Sequence, residues 1–160
     1  MADTKNDFVL GILAEMDFFS DIDYKSLTQL STLFVEKIFS QKDVIFKEES
    51  PGQSMLVIIS GEVRITQVSD DASEEALIIL KKGDLFGEMA LIEEMPRSAT
   101  AIAHSNCVIF EISRENFIQF IDANPKSGIK ILWKLTKTLS SRLRETDNKL
   151  KTFISLSKWI

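Results

Sequence analysis

The sequence predicts an α+β fold: an eight-stranded antiparallel sandwich or jelly roll, with helices before it and one long helix after it. Three observations carry this prediction. From about residue 34 to 112 the hydrophobic period is two, in short runs broken by Gly, Pro, Asp and Ser. On either side of that region the period is helical. After Pro125 no further proline occurs, and after Gly128 no glycine, so the last segment is free of helix breakers.

Phe8, Ile12, Leu13, Met16 and Phe19 mark one apolar face and predict a helix over 8–19. Ser20 and Asp21 break it. Asp23 is a candidate N-cap, because a short carboxylate accepts from the free amides of a first turn. Leu27, Leu30 and Leu33 give the second helix its inward face. Strand-like runs follow at 34–40, 44–46, 55–59, 63–66, 76–80, 85–86, 98–104 and 107–112. Turn signals separate them at Pro51-Gly52, Ser60-Gly61, Asp70-Asp71 and Gly83-Asp84. Gly52, Gly61 and Gly83 read as corner glycines. Ser113 can cap a helix over 114–123, with Phe117, Ile118, Phe120 and Ile121 as its apolar positions. Asn124 suits the N-cap of the long helix and Pro125 its first position. Roughly 30 residues of helix span about 45 Å. Along it Leu132, Leu135, Leu139, Leu143, Thr146, Leu150 and Phe153 recur at spacings of three and four. That seam outlasts what one small roll can cover, so pairing with a second helix is expected; a helix lying on its own domain is the alternative.

The chain is read as one domain over 1–160: N-terminal helices at 1–33, the roll at 34–112, a short helix at 113–123 and the long helix at 125–158. At 160 residues, 44% hydrophobic and 27% charged, the composition is that of a soluble chain with room for a core. No apolar run reaches the ~18 residues of a membrane span, and the polar N-terminus lacks a signal-peptide pattern. Cys107 is the lone cysteine, so no intrachain disulfide forms and a cytoplasmic location is expected. Net charge is −5, yet the nine Lys/Arg from Lys126 onward outnumber two Asp/Glu there.

The most informative stretch is 86–100. Gly83-Asp84 starts a short apolar piece, Leu85-Phe86. Gly87, without a side chain, lets a ligand approach the backbone. Glu88 to Ile92 can form one helical turn, whose first amides are unpaired and favour an anion. Met95-Pro96 ends it. Arg97 then offers a planar fork of donors suited to phosphate, and Ser98 adds a hydroxyl. Glu88 looks misplaced beside an anion unless the ligand also carries a hydroxyl donor, as a ribose does.

The run Phe86-Gly87-Glu88-x-Ala90-Leu91, followed by Pro96-Arg97-Ser98-Ala99-Thr100, resembles the phosphate-binding cassette of the cyclic nucleotide-binding domain family. Ser60-Gly61-Glu62-Val63 and Lys82-Gly83-Asp84 are similar to that family's β-roll. The resemblance implies that Arg97 pairs with the cyclic phosphate and Glu88 accepts from the ribose 2′-hydroxyl. Gly87, Glu88, Met89 and Ala90 would supply backbone near phosphate and sugar, with Ser98 and Ala99 adding a hydroxyl and an amide. Ile65, Leu77, Phe86 and Met89 are candidates for the wall around the base. Arg142, Thr146 and Asp147 lie on the helix that closes over the base in the family. Ser98 tilts the ligand towards cAMP, since members preferring cGMP often carry Thr there. Asp147 could instead accept from guanine, or simply pair with Lys151 as a solvated residue. The implied role is a non-catalytic signal-transduction module: a regulatory sensor, homodimeric through its last helix, hinged at Asn124-Pro125 and Gly128, and acting on an unidentified effector protein.

Other classes fit less well. Cupin-like metal chemistry needs several histidines, and only His104 is present. A phosphodiesterase needs a metal cluster or an activated nucleophile, and a haem sensor needs axial ligands. Neither a metal nor a cofactor is expected beyond the ligand itself. The few residues beyond the long helix are too short for a DNA-reading module, and direct DNA binding is not expected. The remaining alternative is a degenerate roll serving as a dimeric scaffold, against which the intact Glu88 and Arg97 pair argues.

Overall fold

The computed structural model describes residues 2–68 and 74–157, and the alternating runs within them form strands. The elements are α1 (Ala2–Glu15), α2 (Tyr24–Ser31), β1 (Val35–Phe39), β2 (Val44–Phe46), β3 (Ser54–Ser60), β4 (Val63–Val68) and β5 (Glu74–Leu80). They continue with β6 (Leu85–Phe86), α3 (Glu88–Glu93), β7 (Thr100–Ala103), β8 (Cys107–Ser113), α4 (Arg114–Ala123) and α5 (Pro125–Ser157). Two four-stranded sheets result, ordered β1-β8-β3-β6 and β2-β7-β4-β5, with antiparallel pairing. This is the eight-stranded antiparallel β-roll, with helices at both ends. The expected turn at Asp70-Asp71 and the chain beyond Ser157 lie outside the described residues.

The roll is built on β3 and β8. Successive side chains of a strand point to opposite faces. Leu56 and Ile58 of β3, with Ile109 of β8, enter the core between the sheets. Met55, Val57 and Ile59, with Phe110 and Ile112, enter a second core under the helices. The unbroken apolar run of β3 is therefore a strand covered on both faces. The lone thiol fits the same core: burial pushes the Cys107 thiol up, and it donates to backbone oxygens of Glu62 and Ser105 at 3.1 Å.

Four local expectations need correction. The first helix covers Ala2–Glu15 and stops at an extended Met16; Asp17–Phe19 form a separate 3-10 turn. That turn stacks the buried Phe18 and Phe19 rings edge to face at 4.9 Å. Phe8 is 55% exposed, and Val9 and Leu10 face inward in its place. Leu33 lies beyond the end of α2. Asn124 does precede α5, but its side chain does not cap it: the amide donates to Phe120 O at 3.2 Å and the carbonyl accepts from Ser26 Oγ at 3.4 Å. Gly128 serves close packing, since a Cβ there would lie 2.8 Å from Ile121 Cγ2.

Asp23 caps α2 as expected, accepting from Ser26 N at 3.0 Å, and also binds Ser127 Oγ of α5 at 2.9 Å. The Ser26 amide, then the Ser26 and Ser127 hydroxyls, draw its pKa from 3.8 to about 2. The unfolded chain therefore takes up this proton first on acidification. The stabilisation is complete above pH 3.8 and is lost as pH falls towards 2. Asp23→Asn, which keeps a capping side chain but not the charge, should melt below the parent at pH 6. The gap should narrow towards pH 2 in thermal melts.

Candidate functional site

Arg97 sits at the centre of the site although it is only 5% exposed. Strand β3 and the turn into α3 hold its fork. Nη1 donates to Ser54 O at 2.8 Å and to Gly87 O at 2.9 Å, and Nη2 donates to Ser54 Oγ at 2.8 Å. The Phe46 ring lies 4.2 Å from the guanidinium carbon, an attractive face for a cation. Burial draws the Arg97 pKa down, while the charges of Glu111 and Glu88 pull it back up. A guanidinium stays protonated in proteins, so this is a buried cation whose hydrogen bonds end on neutral oxygens. Its Nε is buried without a partner. An unpartnered buried donor is costly, and an anion on that side would satisfy it.

Two glycines make room. Gly87 starts α3 in the left-handed region at φ 73°, and a Cβ there would lie 2.4 Å from Arg97 Nη1. Gly52 is not merely a corner: a Cβ there would lie 2.3 Å from Ala90 Cβ and 3.1 Å from Arg97 Cδ. Helix α3 ends at Glu93 because Glu94 adopts a left-handed conformation, just before Met95-Pro96.

Glu88 is 3% exposed and lies across the site from Arg97. Its Oε1 accepts from Arg142 Nη1 of α5 at 2.7 Å, and Arg142 Nη2 donates to Leu85 O. Arg142, expected near a base, is thus a latch between α5 and the floor of the site. Between the floor and α5 lies a cavity of about 480 Å³, within the usual range for small-molecule sites. Gly87, Glu88, Met89, Ala90, Arg97, Ser98 and Ala99 line its polar side, and Ile65, Leu77, Phe86, Arg142 and Thr146 also face it. Asp147 is not among the lining residues, because it is one residue, about 100° of helix turn, beyond Thr146. The structure brings twelve sequence-selected residues together and leaves Asp147 out.

Sequence reasoning missed several neighbours. Phe46 comes from β2, and Leu139, Leu143, Glu145 and Lys149 come from α5. Gln67 on β4 donates to Ser98 O at 2.8 Å. Ser54 and Glu111 stand behind Arg97. None carries a local motif; the one available signal was strand alternation, which puts Ser54 and Leu56 on one face of β3.

The antiparallel roll thus encloses a buried, partly unsatisfied guanidinium beside a buried carboxylate. The family profile described as "Cyclic nucleotide-binding domain" matches residues 36–124, and the chain belongs to that family. A cyclic AMP receptor protein of Thermus thermophilus is 32% identical over 117 residues, 73% of this chain and 52% of that protein. Human cGMP-dependent protein kinase 2 is 26% identical over 99% of this chain but 20% of its own length. Among solved structures, a cyclic nucleotide-binding domain from Methylobacillus flagellatus KT superposes with a TM-score of 0.79 at 26% identity, covering 92% of this chain and 83% of that one. The chain thus spans about half the length of the first relative and a fifth of the second.

The latch gives a direct prediction. Arg142→Ala should free the distal part of α5, so backbone amide hydrogen exchange should accelerate beyond Leu139 and stay slow at Ile131 and Leu135, which are fully buried.

Proposed function

We propose that this chain is a non-catalytic regulatory module that binds a cyclic nucleotide, cAMP by preference, and controls a partner through α5. The buried Arg97 with its unpartnered Nε carries the reading. Arg97 binds the cyclic phosphate with Ser98 Oγ and the amide of Ala99. Glu88 accepts from the 2′-hydroxyl, and the backbone of Gly87, Met89 and Ala90 approaches phosphate and sugar. Ile65, Leu77, Phe86 and Met89 flank the base, and Thr146 with Arg142 closes over it. The names of the relatives support the ligand class: one is a cyclic AMP receptor protein, another a cGMP-dependent kinase. Ser98 and the position of Asp147 away from the cavity favour cAMP between the two.

Glu88 has two suitors in this scheme, the ribose and Arg142. Ligand binding is then linked to the seating of α5, and the ligand shifts α5 only by its difference in affinity for the two seatings. Helix α5 also carries an apolar stripe that does not line the cavity, Leu132, Trp133, Leu150 and Phe153, all exposed in the single chain. A second copy of α5 would cover this stripe, giving a homodimer whose geometry reports the ligand. Among the described residues no helix is long and apolar enough to cross a membrane. A cytoplasmic setting is part of the proposal.

Calorimetric titration with cAMP and, separately, cGMP tests the proposal. Charge-assisted hydrogen bonds contribute about 1.5–3 kcal/mol each, so Arg97→Ala should weaken binding at least 100-fold. Arg97→Lys keeps the charge without the fork and should fall between. Silence from both nucleotides in folded, ligand-free protein overturns the proposal; tighter cGMP binding reverses the choice of base.

A further inference from the structure

We infer that Ser54 and Glu111 are positioning residues for Arg97: they tie down the Nη1/Nη2 end of its fork and leave the adjoining Nε/Nη2 edge for the nucleotide. The inference rests on the cyclic-nucleotide reading and adds two residues from β3 and β8, outside the 86–100 segment.

The donor arithmetic comes first. A guanidinium has five N–H donors in one plane. Ser54 takes the Nη1/Nη2 end of the fork, with its carbonyl on Nη1 and its hydroxyl on Nη2, each at 2.8 Å. Gly87 O takes the second Nη1 proton at 2.9 Å. The donors left over are Nε–H, which is buried and has no partner, and one Nη2–H. These two share an edge of the plane, the geometry that grips two oxygens of a phosphate side by side.

The hydroxyl of Ser54 is what makes this arrangement directional. It has one proton and two lone pairs. Arg97 can only donate, so Ser54 Oγ must accept from it and send its own proton elsewhere. That proton goes to Glu111 Oε1 at 2.6 Å. Ionised, Glu111 can only accept, which fixes the direction of the whole chain. Lys37 on β1 holds the other carboxylate oxygen, Oε2. Burial raises the Glu111 pKa, but hydrogen bonds from Lys37 and Ser54 and the charges of Lys37 and Arg97 bring it below the ordinary carboxylate value. The relay Lys37–Glu111–Ser54–Arg97 thus runs from an exposed strand to the cavity. A carboxylate near an anion site would by charge alone weaken binding. Here it stands behind the cation and is itself paired, so orientation outweighs repulsion.

The test uses Ser54→Ala, Ser54→Thr and Glu111→Gln in the full chain, with cAMP affinity and the NMR order of the Arg97 15Nε–1H group as readouts. Ser54→Ala and Glu111→Gln should each weaken binding about tenfold and loosen Arg97, with the ligand-free fold intact by circular dichroism. Ser54→Thr, which keeps the hydroxyl, should restore both. In an Arg97→Lys background, which has no planar fork to orient, the two substitutions should cost less than twofold. Equal losses in both backgrounds would mean a merely structural role and overturn the inference, as would unchanged or tighter binding in Glu111→Gln. The two readouts separate the failures. A parent that binds neither cyclic nucleotide but whose Arg97 order depends on Glu111 sinks the ligand reading alone. A parent that binds, with Arg97 indifferent to Glu111, sinks the positioning role alone.

Discussion

A cation removed from water is the constraint on which the centre of this fold depends. Burying a charge is expensive unless its donors are satisfied, and the surroundings of Arg97 answer that cost piece by piece. Phe46 offers a ring face, Ser54 and Gly87 offer oxygens, and Glu111 and Glu88 supply negative charge at one remove. Space is the second requirement. Gly52 and Gly87 stand where any side chain would strike Arg97 or its support. The short helix α3, its left-handed entry and the strand before it are all arranged around one guanidinium.

The roll was legible in the sequence because β3 and β8 have to be apolar on both faces while their neighbours alternate. The polar side of the site was legible because it is contiguous: Gly87 to Ala99 is one loop and one turn. What escaped notice comes from distance or phase. Ser54 and Glu111 reach Arg97 from strands far away in sequence, and a serine or glutamate in a strand has no signature of its own. Asp147 failed on helical phase, one position being enough to turn it off the cavity. Asn124 precedes the helix as expected, but its side chain does not cap it, because its amide is taken by the carbonyl of Phe120. The first helix ended early because Met16 is extended, and a separate 3-10 turn carries Phe18 and Phe19 into the core.

The site is also fastened to the helices that follow it. Arg114, the first residue of α4, donates from Nε to Leu91 O at 3.0 Å and pairs with Glu94, so both parts of its fork hold the end of α3. Arg142 holds the beginning of α3 through Glu88. A six-residue helix is therefore gripped at one end by α4 and at the other by α5. Both grips are polar, guanidinium groups on carbonyl and carboxylate oxygens.

Helix α5 is fully buried at Ile131 and Leu135; from Leu143 to Phe153 its residues are exposed, those up to Lys149 partly along the rim of the cavity. From Leu135 to Ser157 it extends about 33 Å past its last firm anchor. Such a rod is a lever: a tilt of about ten degrees at the anchor carries its far end roughly 6 Å. Any tilt set by one ion pair near the fulcrum is therefore magnified at the tip.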